Sequence, residues 1–245
     1  YEGNGGGQRV GNFIPFTDAY AVDNSCVFVS GDSDYLQKTL GAGNDELFTM
    51  SFWWKPGILQ DCTFLNAQTS DDDRWRFDTA SGQLQIYAKV GGTVRCNLIT
   101  DIKLKDPSMW YNVVLVWDLS EGSGDRVKIF VNGVSQSITL NTEPSNSYTY
   151  TVNTAIEHEI GSREGTSIFL DGYLSEVVFI DGTAETASDF GQTDTSTNRW
   201  IPKDPSGLTF GTNGFYLEFG TAADLGDDTS GEGNDWAEQN IDADN

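Results

Sequence analysis

The run Phe48-Thr49-Met50-Ser51-Phe52-Trp53-Trp54 alternates with period two, placing Phe48, Met50, Phe52 and Trp54 on one face and Thr49, Ser51 and Trp53 on the other. Successive side chains change sides only along extended backbone, so this is a strand with a large aromatic core face. Pro56-Gly57 ends it, and short runs follow at 63–67, 75–78, 84–88 and 94–99, each set apart by turn-forming residues. Ser81-Gly82 separates RWRFDTA from QLQIYAKV, and Gly91-Gly92 separates that run from TVRCNLIT, so each pair reads as a hairpin. WYNVVLVWD is a further strand. VKIFVNGVSQSITL is two short strands hinged on Asn132-Gly133, the dipeptide that favours a type I′ turn. The run Phe169 to Ile180, nearly continuous in its later half, reads as a central strand, and Gly214 to Phe219 as one more. A single helical turn is expected at 187–190, where the Ser188 or Asp189 side chain suits a cap. The chain is therefore all-β and antiparallel.

At 245 residues it can bury a large core, and aromatic residues are spread from Phe13 to Trp236, so one folded domain is expected. Its parts read as an extended lead-in over 1–20, a β-sandwich over 21–220, and an acidic, loop-rich tail over 221–245 that packs near Trp236. With 37 acidic against 14 basic residues the net charge is -23, which repels phosphate backbones and anionic headgroups and argues against nucleic acid as a partner. Solubility or a salty environment accounts for such a charge, and divalent-cation binding is the sharper alternative. Cys26, Cys62 and Cys96 form no C-x-x-C pair; they read as buried small hydrophobes, with a Cys62–Cys96 bridge left open. No stretch approaches the roughly 20 apolar residues of a membrane span, so no membrane insertion is expected. The start YEGNGGGQRV lacks the apolar core of a signal peptide, and a chain beginning at Tyr1 reads as a processed product or a piece of a longer polypeptide.

Taken in order, VGNFIPF, SGDSDYLQKT, FTMSFWWKPG, DPSMWYNVVLVWD, DRVKIFVNGV, EIGS, FLDGYLSEVVFIDG, SDFGQTD, WIPKD, FGTNGFYLEF and DDTSGEGNDW resemble a laminin-G-like, concanavalin-A-like domain family of tail-fibre and other virion proteins of marine phages, cyanophages especially. No one motif is diagnostic, but their order and spacing cover most of the chain. The resemblance implies an antiparallel two-sheet jelly-roll sandwich with curved sheets, of the kind that binds ligands on the concave side or rim in lectins, pentraxins and glucanases. Such folds host many unrelated sites, so function must come from the residues themselves.

A glucanase of this fold is expected to carry E-x-D-x-x-E or E-x-D-x-E, which presents its carboxylates to one side of a cleft. No such stretch is present. Asp171, Glu176 and Asp181 come nearest, but five-residue steps put neighbours on opposite faces and roughly 16 Å apart, which suits turn and edge roles. The one histidine, His158 in AIEHEIG, reads as a strand residue near the surface and not as a general base. GNGGGQRVG lacks the ending of a phosphate loop. Calcium remains a candidate cofactor, with Asp71, Asp72 and Asp73 in one loop and Asp227 and Asp228 beside Asn234 and Asp235 in another. For a sugar, which needs a flat aromatic face and planar polar groups, Trp75 beside Asp72 and Asp73 fits best, with Tyr148 and Tyr150 as a second aromatic loop. Packing in the core or rim is the competing role for Trp75. Trp53, Trp54, Trp110 and Trp117 are read as core.

The expectation is a non-catalytic virion module, extracellular once released: a capsid or tail decoration or part of a fibre. Its partners would be other virion proteins and host or environmental glycans. A glycan-cleaving enzyme whose carboxylates converge only in space, and a purely architectural protein-protein module, are the alternatives. Nothing in the sequence forms a heptad or trimer seam, which leaves homo-oligomerisation open.

Overall fold

The computed structural model describes residues 20–241, so the expected lead-in before Tyr20 and the last four residues lie outside the described residues. The strands are β1 (Cys26–Phe28), β2 (Tyr35–Thr39), β3 (Leu47–Pro56), β4 (Thr63–Ser70), β5 (Asp73–Ala80), β6 (Gln83–Val90), β7 (Thr93–Thr100), β8 (Tyr111–Asp118) and β9 (Val127–Val131). They continue as β10 (Val134–Ser135), β11 (Ile138–Thr142), β12 (Glu157–Ile160), β13 (Gly172–Asp181), β14 (Gly191–Asp194), β15 (Arg199–Pro202), β16 (Phe215–Leu217) and β17 (Ala237–Gln239). One helical turn, α1 (Ala187–Phe190), precedes β14, and Asp189 reaches back to accept the backbone N–H of Thr186.

Two antiparallel sheets form the sandwich. A seven-stranded sheet runs β1-β13-β3-β8-β9-β10, with β16 also paired to β13, and an eight-stranded sheet runs β11-β7-β6-β5-β4-β12-β2-β17. The meander β4 to β7 is closed by turns that the dipeptides dictate. Ser81-Gly82, Gly91-Gly92 and, between β9 and β10, Asn132-Gly133 all hold positive φ at both positions, as a type I′ turn requires.

The core lies between the sheets. Phe48 sits at its centre, with ring centroids 5.1 Å from Phe179, 5.9 Å from Trp117 and 5.7 Å from Trp75. The other face of β3 is covered as well: Thr49, Ser51 and Trp53 are buried, because α1 and the chain from Phe210 to Tyr216 pack a second apolar layer onto Val114, Val116, Val178 and Ile180. Along β13 the core positions are Leu174, Val177 and Phe179, a three-residue step that breaks the alternation. A bulge between Ser175 and Val178 causes it, with Glu176 held at φ 51°. Trp236 packs edge-on against Phe215, which anchors the acidic tail to the sandwich. All three cysteines are buried and free, so no Cys62–Cys96 bridge forms; burial pushes the Cys26 and Cys62 thiols up to about 12. No helix among the described residues is long and apolar enough to cross a membrane.

A buried polar knot joins four loops at one end. Asp181 accepts from the Asn44 N–H at 3.0 Å, the Asn153 side chain at 2.6 Å and the Asn213 N–H at 3.1 Å, while the Asn213 side chain bridges to Gly41 and to Asn153. His158 supports this knot and is buried, not near the surface as its acidic neighbours suggested. Its Nε2 accepts the Asn153 N–H at 2.9 Å and its Nδ1 lies 3.0 Å from the Ile156 carbonyl, so the ring is neutral with the proton on Nδ1. Burial lowers its pKa to about 4, the Ile156 carbonyl only partly opposing.

That shift has a sign. The unfolded chain protonates the histidine below about 6.5 and the folded one does not until about 4, so acidification across this window removes up to about 3 kcal/mol of stability. Buried Asp78, Glu159 and Glu176, whose pKa values burial raises, act in the opposite direction, so the comparison must be with a variant. His158→Gln is expected to melt lower than the parent at pH 7.5 and to lose most of that deficit by pH 4.5, as measured by circular dichroism. An equal deficit at both pH values would show that His158 does not titrate as its burial requires.

Candidate functional site

The residues singled out from sequence do not converge. Trp75 is 0% exposed and meets Phe48 and Trp117 edge to face, so both sides of the indole are spent in the core; the expected sugar platform at this position is corrected. Alternation along β5 explains the placement, since Trp75 and Phe77 face inward while Arg74, Arg76 and Asp78 face outward. Tyr150 is buried too. Its ring lies edge-on to Trp117 and its hydroxyl accepts the Ser145 N–H at 3.1 Å, while burial raises its pKa to about 12. Tyr148 is half-buried, and the Arg95 guanidinium already lies 4.1 Å over its ring. The two tyrosines therefore form no shared aromatic loop.

The acidic loops are also accounted for. Asp71 and Asp72 are the tip of the β4–β5 hairpin, Asp71 pairs with Arg74 at 2.9 Å, and Asp73 accepts the Gly91 N–H at 2.8 Å, which ties this tip to the next one. Asp228 is buried and has four donors: Tyr216 N–H and Ser230 N–H on Oδ1, Ser230 hydroxyl and Asn234 N–H on Oδ2. Asp227 lies half-buried beside it in the same turn. A carboxylate so used holds a loop in place and has no lone pairs left facing outward for a cation. Among the described residues no group of three or more His, Cys, Asp and Glu side chains is placed to hold a metal ion.

A concavity among the described residues lies elsewhere, on the outer face of the seven-stranded sheet. It is a cleft of about 510 Å³ lined by Trp53, Trp110 and Trp200, with Asp23, Asn24 and Arg199 among its polar groups. Its floor comes from register: Trp53 on β3 sits opposite Asn112 on β8 and Ser175 on β13. One wall is β15. Trp200 donates its Nε1–H to Asn112 Oδ1 at 2.9 Å and fits between Gly133 and Gly191, where a Cβ at either position would come within 2.4 Å of the indole. Gly133 thus serves twice, in the turn and against the ring. Trp110, half-buried where the chain enters β8, leans on Tyr173 at 6.3 Å.

The opposite wall is the segment 20–25. Ser175 donates to the Asn24 carbonyl at 2.5 Å, and Tyr20 donates to Glu176 at 3.0 Å. Tyr216 also donates to Glu176 and lies 2.7 Å from the Tyr20 hydroxyl. Burial raises the pKa of Glu176 against these two hydrogen bonds and pushes both tyrosines up. The bulge at Glu176 therefore supplies the peg that holds one wall of the cleft. Trp53 and Trp110, read as core from sequence, line this cleft. The alternation that put Trp53 opposite the core face carried the signal for it, whereas a lone Trp200 in a loop-rich stretch carried none.

The sequence profile of the family described as the concanavalin A-like lectin/glucanases superfamily matches residues 30–189. No curated protein sequence matches. Among solved structures, the chain is similar to a native heptameric SAP-like pentraxin from Limulus polyphemus, at 18% identity and a TM-score of 0.48, covering 69% of this chain and 80% of that one. It is similar to domains LG4-5 of the mouse laminin alpha1 chain at 11% identity and 0.49, covering 81% and 48%. With the enzymatically active domain of tailspike protein 2 of bacteriophage CBA120 it shares 14% identity at 0.47, covering 67% and 26%. Two walls of the cleft, residues 20–25 and β15, lie outside the matched span.

The role given to Asp228 has a measurable consequence. Asp228→Ala leaves three N–H donors and a hydroxyl unmet and is expected to cost roughly 3 kcal/mol in a urea melt. Millimolar calcium is expected to leave the parent's melting temperature unchanged; a rise of several degrees on adding calcium would restore a metal site to these loops.

Proposed function

This chain belongs to the concanavalin A-like lectin/glucanases superfamily, and from that premise we propose that it is a non-catalytic glycan-binding module whose site is the tryptophan-lined cleft. The observation that carries the reading is the grouping of Trp53, Trp110 and Trp200 around one 510 Å³ space with amide, carboxylate and guanidinium groups at its edge. Pyranose rings present apolar C–H faces that stack on indoles, while their hydroxyls need fixed planar partners, and this cleft offers both. Its size is that of a small-ligand site.

The non-catalytic part is supported by the charge inventory. Acid-base cleavage of a glycosidic bond uses two carboxyl groups roughly 5 to 9.5 Å apart across the bond. Among the described residues lining the cleft, Asp23 is the one carboxylate. The rival reading, a glycan-cleaving enzyme, draws on Glu176, a buried carboxyl of raised pKa immediately behind Tyr20. Both of its tyrosine partners contact the same oxygen, which suits an anchor better than a proton donor to a sugar. The resemblance of its motifs to phage tail-fibre domains supports a place on a virion, with neighbouring virion proteins as its protein partners.

A glycan array probed with the purified chain is expected to give selective binding, and Trp110→Ala, at a half-buried position outside the main core, is expected to weaken it at least tenfold, or about 1.4 kcal/mol. Incubation with the bound glycan should release no shorter product. No binding on the array, or binding indifferent to Trp110→Ala, would sink the assignment of the cleft; product release abolished by Glu176→Gln would make the chain an enzyme. Absence of the chain from mass spectra of purified particles would remove the virion placement.

A further inference from the structure

The outer face of the eight-stranded sheet, on the far side of the sandwich from the tryptophan cleft, carries a polar row in cross-strand register: Glu159, Asn66, Arg76, Tyr87 and Asn97. The next row along the strands holds Gln68, Arg74 and Lys89. In a chain with only 14 basic residues and a net charge of -23, this concentrates positive charge on one face.

Arg76 is the anomaly there. It is 9% exposed and pairs with Asp78 at 3.7 Å, yet its buried Nε finds no hydrogen-bond acceptor among the described residues, and its guanidinium lies 4.9 Å over the Tyr87 ring. Asp78 is committed instead to Arg163 at 2.7 Å and to the Thr63 hydroxyl at 2.9 Å. Arg74 projects from the same strand two residues away, its guanidinium 5.4 Å over the same Tyr87 ring, and its counter-charge is Asp71, an exposed carboxylate at a hairpin tip. Two guanidiniums thus share one aromatic ring, and the one buried carboxylate beside Arg76 is shared with Arg163. A buried guanidinium nitrogen without an acceptor is costly, and Nε of both arginines is such a group among the described residues. Beside them, Asn66 Oδ1 and Gln68 Oε1 are buried acceptors without a donor among the described residues, and the Asn66 amide nitrogen, bonded to Glu159 at 3.2 Å, fixes which way that amide points.

The unmet groups are complementary to one kind of molecule. Paired guanidiniums ask for an oxyanion, since carboxylates and sulfates present two acceptors to a planar fork. Acceptors on Asn66 and Gln68 ask for hydroxyl donors beside it. We propose that this face is a second binding site, taking an acidic sugar whose carboxylate or sulfate ester bridges Arg74 and Arg76 while adjacent hydroxyls donate to Asn66 and Gln68. Tyr87 lies under both guanidiniums and holds them side by side. The site shares no residue with the tryptophan cleft, so either assignment can fail without the other.

Calorimetric titration of the whole chain tests it, with short oligogalacturonates and sulfated oligosaccharides as the two oxyanion sources and neutral oligosaccharides of matched length as the comparison. Binding of at least one acidic series is expected, weakening severalfold between about 0.05 and 0.5 M salt because the contact is ionic. Arg74→Gln should weaken it at least tenfold with the melting temperature retained, and Arg76→Gln should act in the same direction. If Arg76→Gln fails to fold, Lys89→Gln replaces it, with a smaller loss expected. Asp71→Asn, which removes the competing carboxylate, should tighten binding. Trp110→Ala should leave acidic binding unchanged. Failure of both acidic series to bind at millimolar concentration, binding indifferent to Arg74→Gln, or binding lost in Trp110→Ala and kept in Arg74→Gln would each overturn the proposal; the last would move the anion to Arg199 in the cleft.

Discussion

The central strands of the seven-stranded sheet are buried on both faces over most of their length, and much of the molecule is arranged to make that possible. A strand with one wet face can alternate apolar and polar residues, but a strand covered twice must satisfy packing on both sides. β3, β8 and β13 do so: Phe48, Leu115 and Phe179 meet the inter-sheet core, while Ser51, Val114 and Val178 meet the second layer. Outside the bulge at Glu176 these strands pair residue by residue with their neighbours, so burial leaves few ladder groups without partners. The second layer is therefore part of the fold, because without it Val114, Val116, Val178 and Ile180 would form an exposed apolar strip.

Covering that face also creates the cleft. The second layer ends short of Trp53, and the gap is walled by β15 on one side and the segment 20–25 on the other. Each wall is fastened by polar contacts to the sheet beneath: Trp200 to Asn112, and Tyr20 and Asn24 to Glu176 and Ser175. Glu176 stands at a strained left-handed position in a bulge, which turns two successive residues, Ser175 and Glu176, toward the same wall. The polar knot at Asp181 plays the matching role at the end of the sandwich. There Asn44, Asn153 and Asn213, on loops far apart in sequence, are held by one carboxylate, and a neutral histidine supports Asn153.

Electrostatics divides the surface in a way that net charge conceals. Much of the acidity is consumed locally, in turn contacts such as Asp73 to Gly91 and Asp228 to its four donors. The scarce arginines gather instead on the eight-stranded sheet, where Tyr87 receives two of them. The two faces of the sandwich thus differ in chemistry: indoles and a mixed polar rim on one, guanidiniums and amide oxygens on the other.

How much of this was legible in the chain follows from the range of the forces involved. Alternation and turn dipeptides are local, so the strand at 48–54, the hairpins at Ser81-Gly82, Gly91-Gly92 and Asn132-Gly133, and the central position of the run ending at Ile180 could be read directly. The family's ordered motifs extended this to a two-sheet sandwich. The cleft could not be read in the same way. Alternation told that Trp53 and Trp75 lie opposite one another in kind, one facing away from the core strip and one flanked by outward charges, but not which outward face a later segment would cover or which inward ring would be spent. His158 shows the same limit, since its flanking glutamates mark it as exposed until the 151–156 loop closes over it. By itself the sequence determined extended strands, their turns and one aromatic core face, because those depend on neighbours in the chain. Only the tertiary structure decided which tryptophans stay accessible and which arginines share one aromatic ring, because burial is set by segments distant in the chain.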